Sequence, residues 1–304
     1  VTSAISLGPA VTRRAQARLG LLLVLPTLAL TVVFFLIPLV TAFFYSFVDY
    51  DGISENPTFV GFGNFVEMFN DPEVWHALGN NLVWIFFGTI GPVAIGFGIA
   101  VLLSGVKRGS VVYRLVFFFP YVLPGVAIAV VWGWIYSPRS GWLNQTLEAV
   151  GLGALRHGWL GEPGIALYAV LVTAIWAVTG FCVVVFLSAL GNVDPELVDA
   201  ARIDGANAMQ RSWYVVLPQI MPVFLMVVTL TLISGFGVFD IIYVMTAGGP
   251  ANSTNVLGIY AYQNAFTLNR IGYATTIALL ITALSIPFAI ALNRLQRRLS
   301  LEGA

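Results

Sequence analysis

The sequence predicts an all-α integral membrane protein of six transmembrane helices, with N and C termini both cytoplasmic. Three observations carry this reading. Of 304 residues, 59% are hydrophobic and 9% charged, where soluble chains carry about 25% charged residues. Six apolar runs, near 19–46, 77–105, 111–136, 165–190, 219–247 and 271–293, meet the roughly 20 helical residues that a bilayer requires. Eleven of the fourteen Lys and Arg residues fall on one side of those runs: Arg13, Arg14, Arg18, Lys107, Arg108, Arg114, Arg202, Arg211, Arg294, Arg297 and Arg298. The positive-inside rule makes that side cytoplasmic. The chain then divides into an N-terminal tail (1–18), a membrane domain (19–293) with a cytoplasmic loop over 191–218, and a C-terminal tail (294–304).

The first run is too long for a signal peptide, and no small-residue cleavage site follows it. It carries Pro26 and Pro38, which a membrane helix tolerates when its neighbours re-satisfy the freed carbonyls. Residues 47–76 form an outer loop with six acids and no Lys or Arg. There Asp71-Pro72 reads as an N-cap and first helical residue, so a short helix is expected ahead of span two. Phe59, Phe62, Phe65, Phe69 and Trp75 suit the membrane interface or an outer partner. Span two is rich in glycine (Gly88, Gly91, Gly96, Gly98), which favours close helix packing. In span three, Pro120 and Pro124 should bend the helix. His157, in the loop 137–164, reads as a surface residue. Span four is aliphatic apart from Trp176, Thr179 and Cys182.

The stretch Gly191–Pro222 holds four of the fourteen acids, Asp194, Glu196, Asp199 and Asp204, with two arginines. Asp194-Pro195 repeats the cap-and-proline signature, Asp199 can reach Arg202 one turn on, and Gly205 permits a positive φ. A second helix is expected from about Ala206 to Val216, with Leu217-Pro218 marking entry into span five. The residues alone fit equally a solvated loop whose charges keep it out of lipid. Span five carries Thr229, Thr231, Ser234 and the one intramembrane acid, Asp240. An acid at that depth is a candidate functional group, and equally a structural one bonded to a neighbouring helix or subunit. The last outer loop, 248–270, offers amides, hydroxyls and tyrosines that suit sugar hydroxyls or any loop.

Several chemistries have no residues to carry them. The one lysine, Lys107, is followed by Arg108, so no phosphate-binding P-loop ends in Lys-Ser/Thr. One cysteine and two isolated histidines leave no metal cluster and no disulfide. Zero net charge argues against nucleic acid.

Asp199-Ala200-Ala201, Gly205, Val215 and Leu217-Pro218 together resemble the "EAA" loop of ABC-transporter permease subunits, with Asp199 in place of the usual glutamate and Val215 in place of isoleucine. The chain is similar to carbohydrate-importer permeases of the maltose and glycerol-phosphate type, most closely over 59–91, 113–144, 194–222 and 236–272. The resemblance implies the type I importer permease fold in a prokaryotic plasma membrane. It implies a heterodimer with a second permease subunit, two cytoplasmic ABC ATPases that bind ATP and Mg, and an extracytoplasmic binding protein that delivers a sugar-like solute. No cofactor belongs to this chain, which is no enzyme and whose surroundings are membrane lipid. Coupling to the ATPase would fall to Glu196, Asp199, Ala200, Ala201, Asp204, Gly205, Ala206, Leu217 and Pro218. The solute path would run past Ala174, Trp176, Val178 and Phe181 on span four and past Thr231, Ser234, Gly235, Val238 and Asp240 on span five. The competing reading is an ion-coupled secondary transporter, which would need midplane ion ligands and internal repeats; one carboxylate and no repeat are present. A non-transporting scaffold is the third reading.

Overall fold

The computed structural model describes residues 13–55, 57–106 and 109–302. The first twelve residues of the expected N-terminal tail, and Lys107 and Arg108, lie outside them. Helix α1 (Arg13–Thr31) and α2 (Ile37–Tyr45) form one continuous rod through a π turn at Val32–Leu36. The ring of Pro38 would crowd the carbonyl four residues back, and the wider π turn relieves it, with Ile37 N–H donating to Val32 O. The helix starts at Arg13, six residues before the expected span.

A two-stranded ribbon, β1 (Val48–Asp49) against β2 (Thr58–Phe59), opens the next loop, followed by α3 (Gly63–Asn70). Asn64 ties the loop to the end of span one, donating to Ser46 O and Val48 O at 3.0 Å each. Phe59, Phe62, Phe69 and Trp75 are exposed, as an interfacial face requires. Asp71 caps the next helix, accepting the Glu73 N–H at 2.9 Å. The helix begun at this cap is not a separate short one; α4 (Pro72–Ser104) runs on unbroken as span two.

Span three is broken. Helix α5 (Ser110–Val122) and α6 (Gly125–Ile135) meet at 95°. Leu123, forced out of the α region by the proline after it, is extended at φ −72°, ψ 142°. Helix α7 (Trp142–Ala149) then leads to a loop in which His157 Nδ1 lies 2.9 Å from Glu162 Oε2. Helix α8 (Pro163–Leu190) is unbroken and central. It packs along α4 and α5.

The 191–222 loop holds α9 (Pro195–Ile203), α10 (Ala208–Arg211), a π turn at Ser212–Val216 and α11 (Leu217–Gln219). Its second helical arm runs from Ala208 to Gln219 and meets α12 (Met221–Phe236) at 84°. Span five is therefore entered at Ile220, not at Leu217-Pro218. Pro222 explains the shift, since its missing N–H and its ring disrupt the turn before it. Span five is also discontinuous: α12 ends at Phe236 and α13 (Asp240–Thr246) starts anew after Gly237–Phe239. Helix α14 (Leu257–Tyr262), a π turn at Gln263–Thr267 and α15 (Ile271–Glu302) complete the chain. The expected tail at 294–304 is helical to Glu302, because its Leu, Arg and Gln residues are good helix formers.

Six spans result when the bent pairs count as one each. One core cluster gathers Phe97, Cys182, Val183, Phe186 and Leu217, and a second gathers Trp84, Ile128, Val170, Ile242 and Ile259. The most apolar stretch of span one, within Gly20–Tyr45, buries nothing against the rest of the chain.

Candidate functional site

Two features stand out, one just past the C-terminal end of α8 and one beside its middle. The first is the 191–222 loop. Asp194 Oδ1 accepts the Glu196 N–H at 2.9 Å, so the expected cap forms. Gln219 clips the loop shut: its Oε1 accepts the Asp194 N–H at 3.0 Å and its amide donates to Val215 O at 3.1 Å. No sequence signal singled out Gln219, because its partner lies 25 residues away. Gly205 sits at φ +83°, the left-handed region that its lack of a β-carbon permits. Asn207 and Gln210 then form a reciprocal capping box at 2.9 Å in both directions. Arg211 donates to Ala206 O at 2.6 Å, bracing the turn.

Glu196, Asp199, Ala200, Asp204, Gly205 and Pro218 are exposed, and Ala201 and Ala206 are half-buried. Leu217 differs. It is buried in the core with Phe186 and Val227, where it anchors the arm. The Arg202–Asp199 pair spans 3.6 Å and both side chains are open to solvent, so it is worth little. Beside these charges the loop presents apolar side chains: Ile203 is 87% exposed and Tyr214 79%, with Leu197, Met209 and Trp213 also uncovered. A concavity of about 340 Å3 lies beside them, lined by Asp204, Gly205, Ala206, Gln210, Tyr214 and Val215.

The second feature is a cavity of about 240 Å3 among α4, α6, α8, α12 and α13. Seven of the nine expected path residues line it: Ala174, Val178, Thr231, Ser234, Gly235, Val238 and Asp240. Trp176 and Phe181 do not. They face α5 and α6, Trp176 with its ring 5.5 Å from Trp132 and Phe181 stacked at 4.9 Å on Tyr121. Sequence spacing set Thr231, Gly235 and Val238 on one helix face. In the structure Val238 reaches the cavity from the break after α12.

Trp84, Gly88, Gly125, Ile128, Ala177, Gly237 and Ile241 complete the wall, none of them anticipated as path residues. The hydroxyls of Thr231 and Ser234 are spent on their own helix, donating to Val227 O at 2.9 Å and Thr231 O at 2.8 Å. Asp240 is the one charged group in the lining. It is the first residue of α13 rather than an interior residue of a long helix.

The loop 248–270, expected to be an outer one and a candidate for sugar contact, is occupied in holding the fold. Asn80 donates to Ser253 O at 3.2 Å and Asn255 O at 2.8 Å. Thr254 and Asn255 are fully buried.

Comparison with known proteins fits this architecture. The family of the binding-protein-dependent transport system inner membrane component matches residues 92–301. The chain is 35% identical over 254 residues to the multiple sugar-binding transport system permease protein MsmF of Streptococcus mutans, covering 84% of this chain and 87% of that one. It is 35% identical over 290 residues to the diacetylchitobiose uptake system permease protein NgcF of Streptomyces coelicolor, covering 91% and 81%. The trehalose/maltose transport system permease protein MalF of Thermococcus litoralis is 30% identical over 93% of this chain and 95% of its own length. A crystal structure of a bacterial ABC transporter involved in the import of the acidic polysaccharide alginate shares the fold, with TM-score 0.79 at 21% identity over 93% and 96% of the two chains. No finding supports an ion-coupled transporter. This chain belongs to the binding-protein-dependent transport system inner membrane component family, the membrane-embedded permease subunits of ABC transporters.

Proposed function

We propose that this chain is one permease subunit of an ATP-driven importer for a sugar or sugar-like solute. An extracytoplasmic binding protein delivers the solute. A second permease subunit completes the path, and two cytoplasmic ATPases bind the ATP and Mg; the hydrolytic chemistry lies in them, and this chain has no P-loop. The observation that carries the coupling role is the apolar ridge of Leu197, Ile203, Met209, Trp213 and Tyr214, exposed on a loop clipped shut at its base. Exposed aromatic and aliphatic side chains on a rigid prong are what a protein partner's cleft recognises. This reading places the loop and both termini in the cytoplasm, in accord with the basic residues. Span one, buried against nothing in its own chain, supports a second subunit beside it.

The cavity supports the solute path. It lies where two broken spans meet, and irregular backbone at membrane depth is tolerated where it lines a cavity. The names of the relatives favour an oligosaccharide as the solute. Reconstitution with the cognate subunits tests the proposal. Uptake of a labelled oligosaccharide should stop when ATP is removed and continue when ion gradients are collapsed. Uptake that follows the ion gradient would contradict it.

A further inference from the structure

Asp240 is the one acid within the six apolar runs, and its carboxylate has no hydrogen-bond or ion-pair partner among the described residues. An acid at that depth is retained for a reason. Asp240 is exposed within its own chain, and its carboxylate lies beside the backbone of Gly125. A β-carbon on Gly125 would overlap Asp240 Oδ2 outright and stand 3.1 Å from its Cγ. Gly125 is the first residue of α6, an eleven-residue helix with its positive end at that point.

That helix start is bare. Its N-cap position is Pro124, which offers no side-chain oxygen, and no side chain caps it. Pro124 O receives the N–H groups of Ala127 and Ile128 at 2.9 and 3.2 Å. The N–H groups of Gly125 and Val126 precede the first helical bond and have no acceptor in their own helix. Caps are ordinarily Ser, Thr, Asp or Asn in sequence. Here a carboxylate 115 positions later lies beside Gly125, across the contact between α6 and α13, and acts by its charge, since it accepts no hydrogen bond from those N–H groups.

We propose that Asp240 is a positioning residue that supplies the negative charge missing from the start of α6 and so holds the break in span three against the break in span five. Gly125, Ile128, Asp240 and Ile241 all line the candidate solute cavity. The pair therefore sets the shape of one wall rather than gripping solute. A side chain at position 125 would displace the carboxylate from this seat.

The test uses the complete transporter in proteoliposomes, and it rests on the permease reading above. Wild-type ATP-dependent uptake controls for that reading; if it is absent, the functional proposal fails and not this one. Asp240→Asn keeps the shape and removes the charge. It should assemble normally and lose about threefold in binding-protein-stimulated ATP hydrolysis, the size expected for one charge at an exposed helix end. Asp240→Ala should lose as much and recover in part when formate is added, because a free carboxylate can occupy the seat; formate should leave Asp240→Asn unchanged. Should Asp240→Ala fail to assemble, Gly125→Ala decides with Asp240→Asn, since it keeps the acid but pushes it away and should show the same loss. Wild-type hydrolysis in Asp240→Asn, or in Gly125→Ala, would overturn the proposal, as would no response of an assembled Asp240→Ala to formate.

Discussion

Asn81 Oδ1 accepts the backbone N–H of Leu257 at 2.8 Å, joining the first third of α4 to the start of α14 across 176 residues of sequence. The other end of the same amide donates to Gly235 O at 3.4 Å, and Asn81 is 2% exposed. One buried side chain thus fastens span two to the end of α12 and to the loop 248–270. Asn81→Leu leaves a buried N–H with no acceptor, a loss of about 1–3 kcal/mol. Thermal unfolding of the purified subunit complex should show a lower Tm for Asn81→Leu than for substitutions of exposed residues on α4.

Gly205 predicts a pair of opposite outcomes. At φ +83°, a β-branched residue is strained by roughly 1–2 kcal/mol, whereas Asn visits this region readily. Gly205→Val should therefore reshape the loop and uncouple ATP hydrolysis from the binding protein, while Gly205→Asn retains most coupling. Both should insert and assemble normally, because the loop's exposed residues carry no core packing. Solute-stimulated ATPase, measured on both variants, checks this.

Asp71 sits in a pH-dependent lock. Burial works against the charge of Asp71, yet the hydroxyls of Tyr260 and Tyr273 and the Glu73 N–H all donate to it and hold its carboxyl below the ordinary 3.8. A depressed folded-state value stabilises above 3.8 and loses that stabilisation as pH falls through the lower, folded value. The Tm difference between wild type and Asp71→Asn should be constant above 3.8 and shrink below it. Melts across that range measure it.

For the solute path, Gly235 is a poor probe despite lining the cavity. A β-carbon there would lie 3.2 Å from Ile85 Cγ1 and 3.4 Å from Ile85 Cα, so Gly235→Trp would separate α4 from α12. Ala174, half-buried on the wall of α8, is the cleaner position. Ala174→Trp should block uptake with assembly intact, and Trp176→Ala, on the other side of the same helix, should leave uptake near wild type. Transport assays on the two variants separate path from packing.

How much of this was legible in the sequence depends on the physical range of each signal. Local signals read true: Asp71-Pro72 and Asp194-Pro195 are caps, Gly205 is the positive-φ turn, and the apolar runs are helices. Hydropathy is blind to backbone breaks inside an apolar run. The break at Leu123-Pro124 was visible as proline, but the one at Gly237–Phe239 contains no proline and is held by tertiary contacts to α4 and α6. Span five therefore read as one long helix with Asp240 in its interior. For the same reason Val238 was placed on a helix face, and Trp84, on another helix, escaped notice. Trp176 and Phe181 were carried over from resemblance, and the rotation of α8 turns them toward α5 and α6.

The account centres on the exposed prong at 191–222, and Ile203, 87% exposed at its tip, is the place to test it. A photoreactive side chain introduced at position 203 in native membrane vesicles should cross-link to a nucleotide-hydrolysing subunit, with a yield that changes when ATP binds. Cross-linking to lipid alone, or to no ATPase in any nucleotide state, would contradict it.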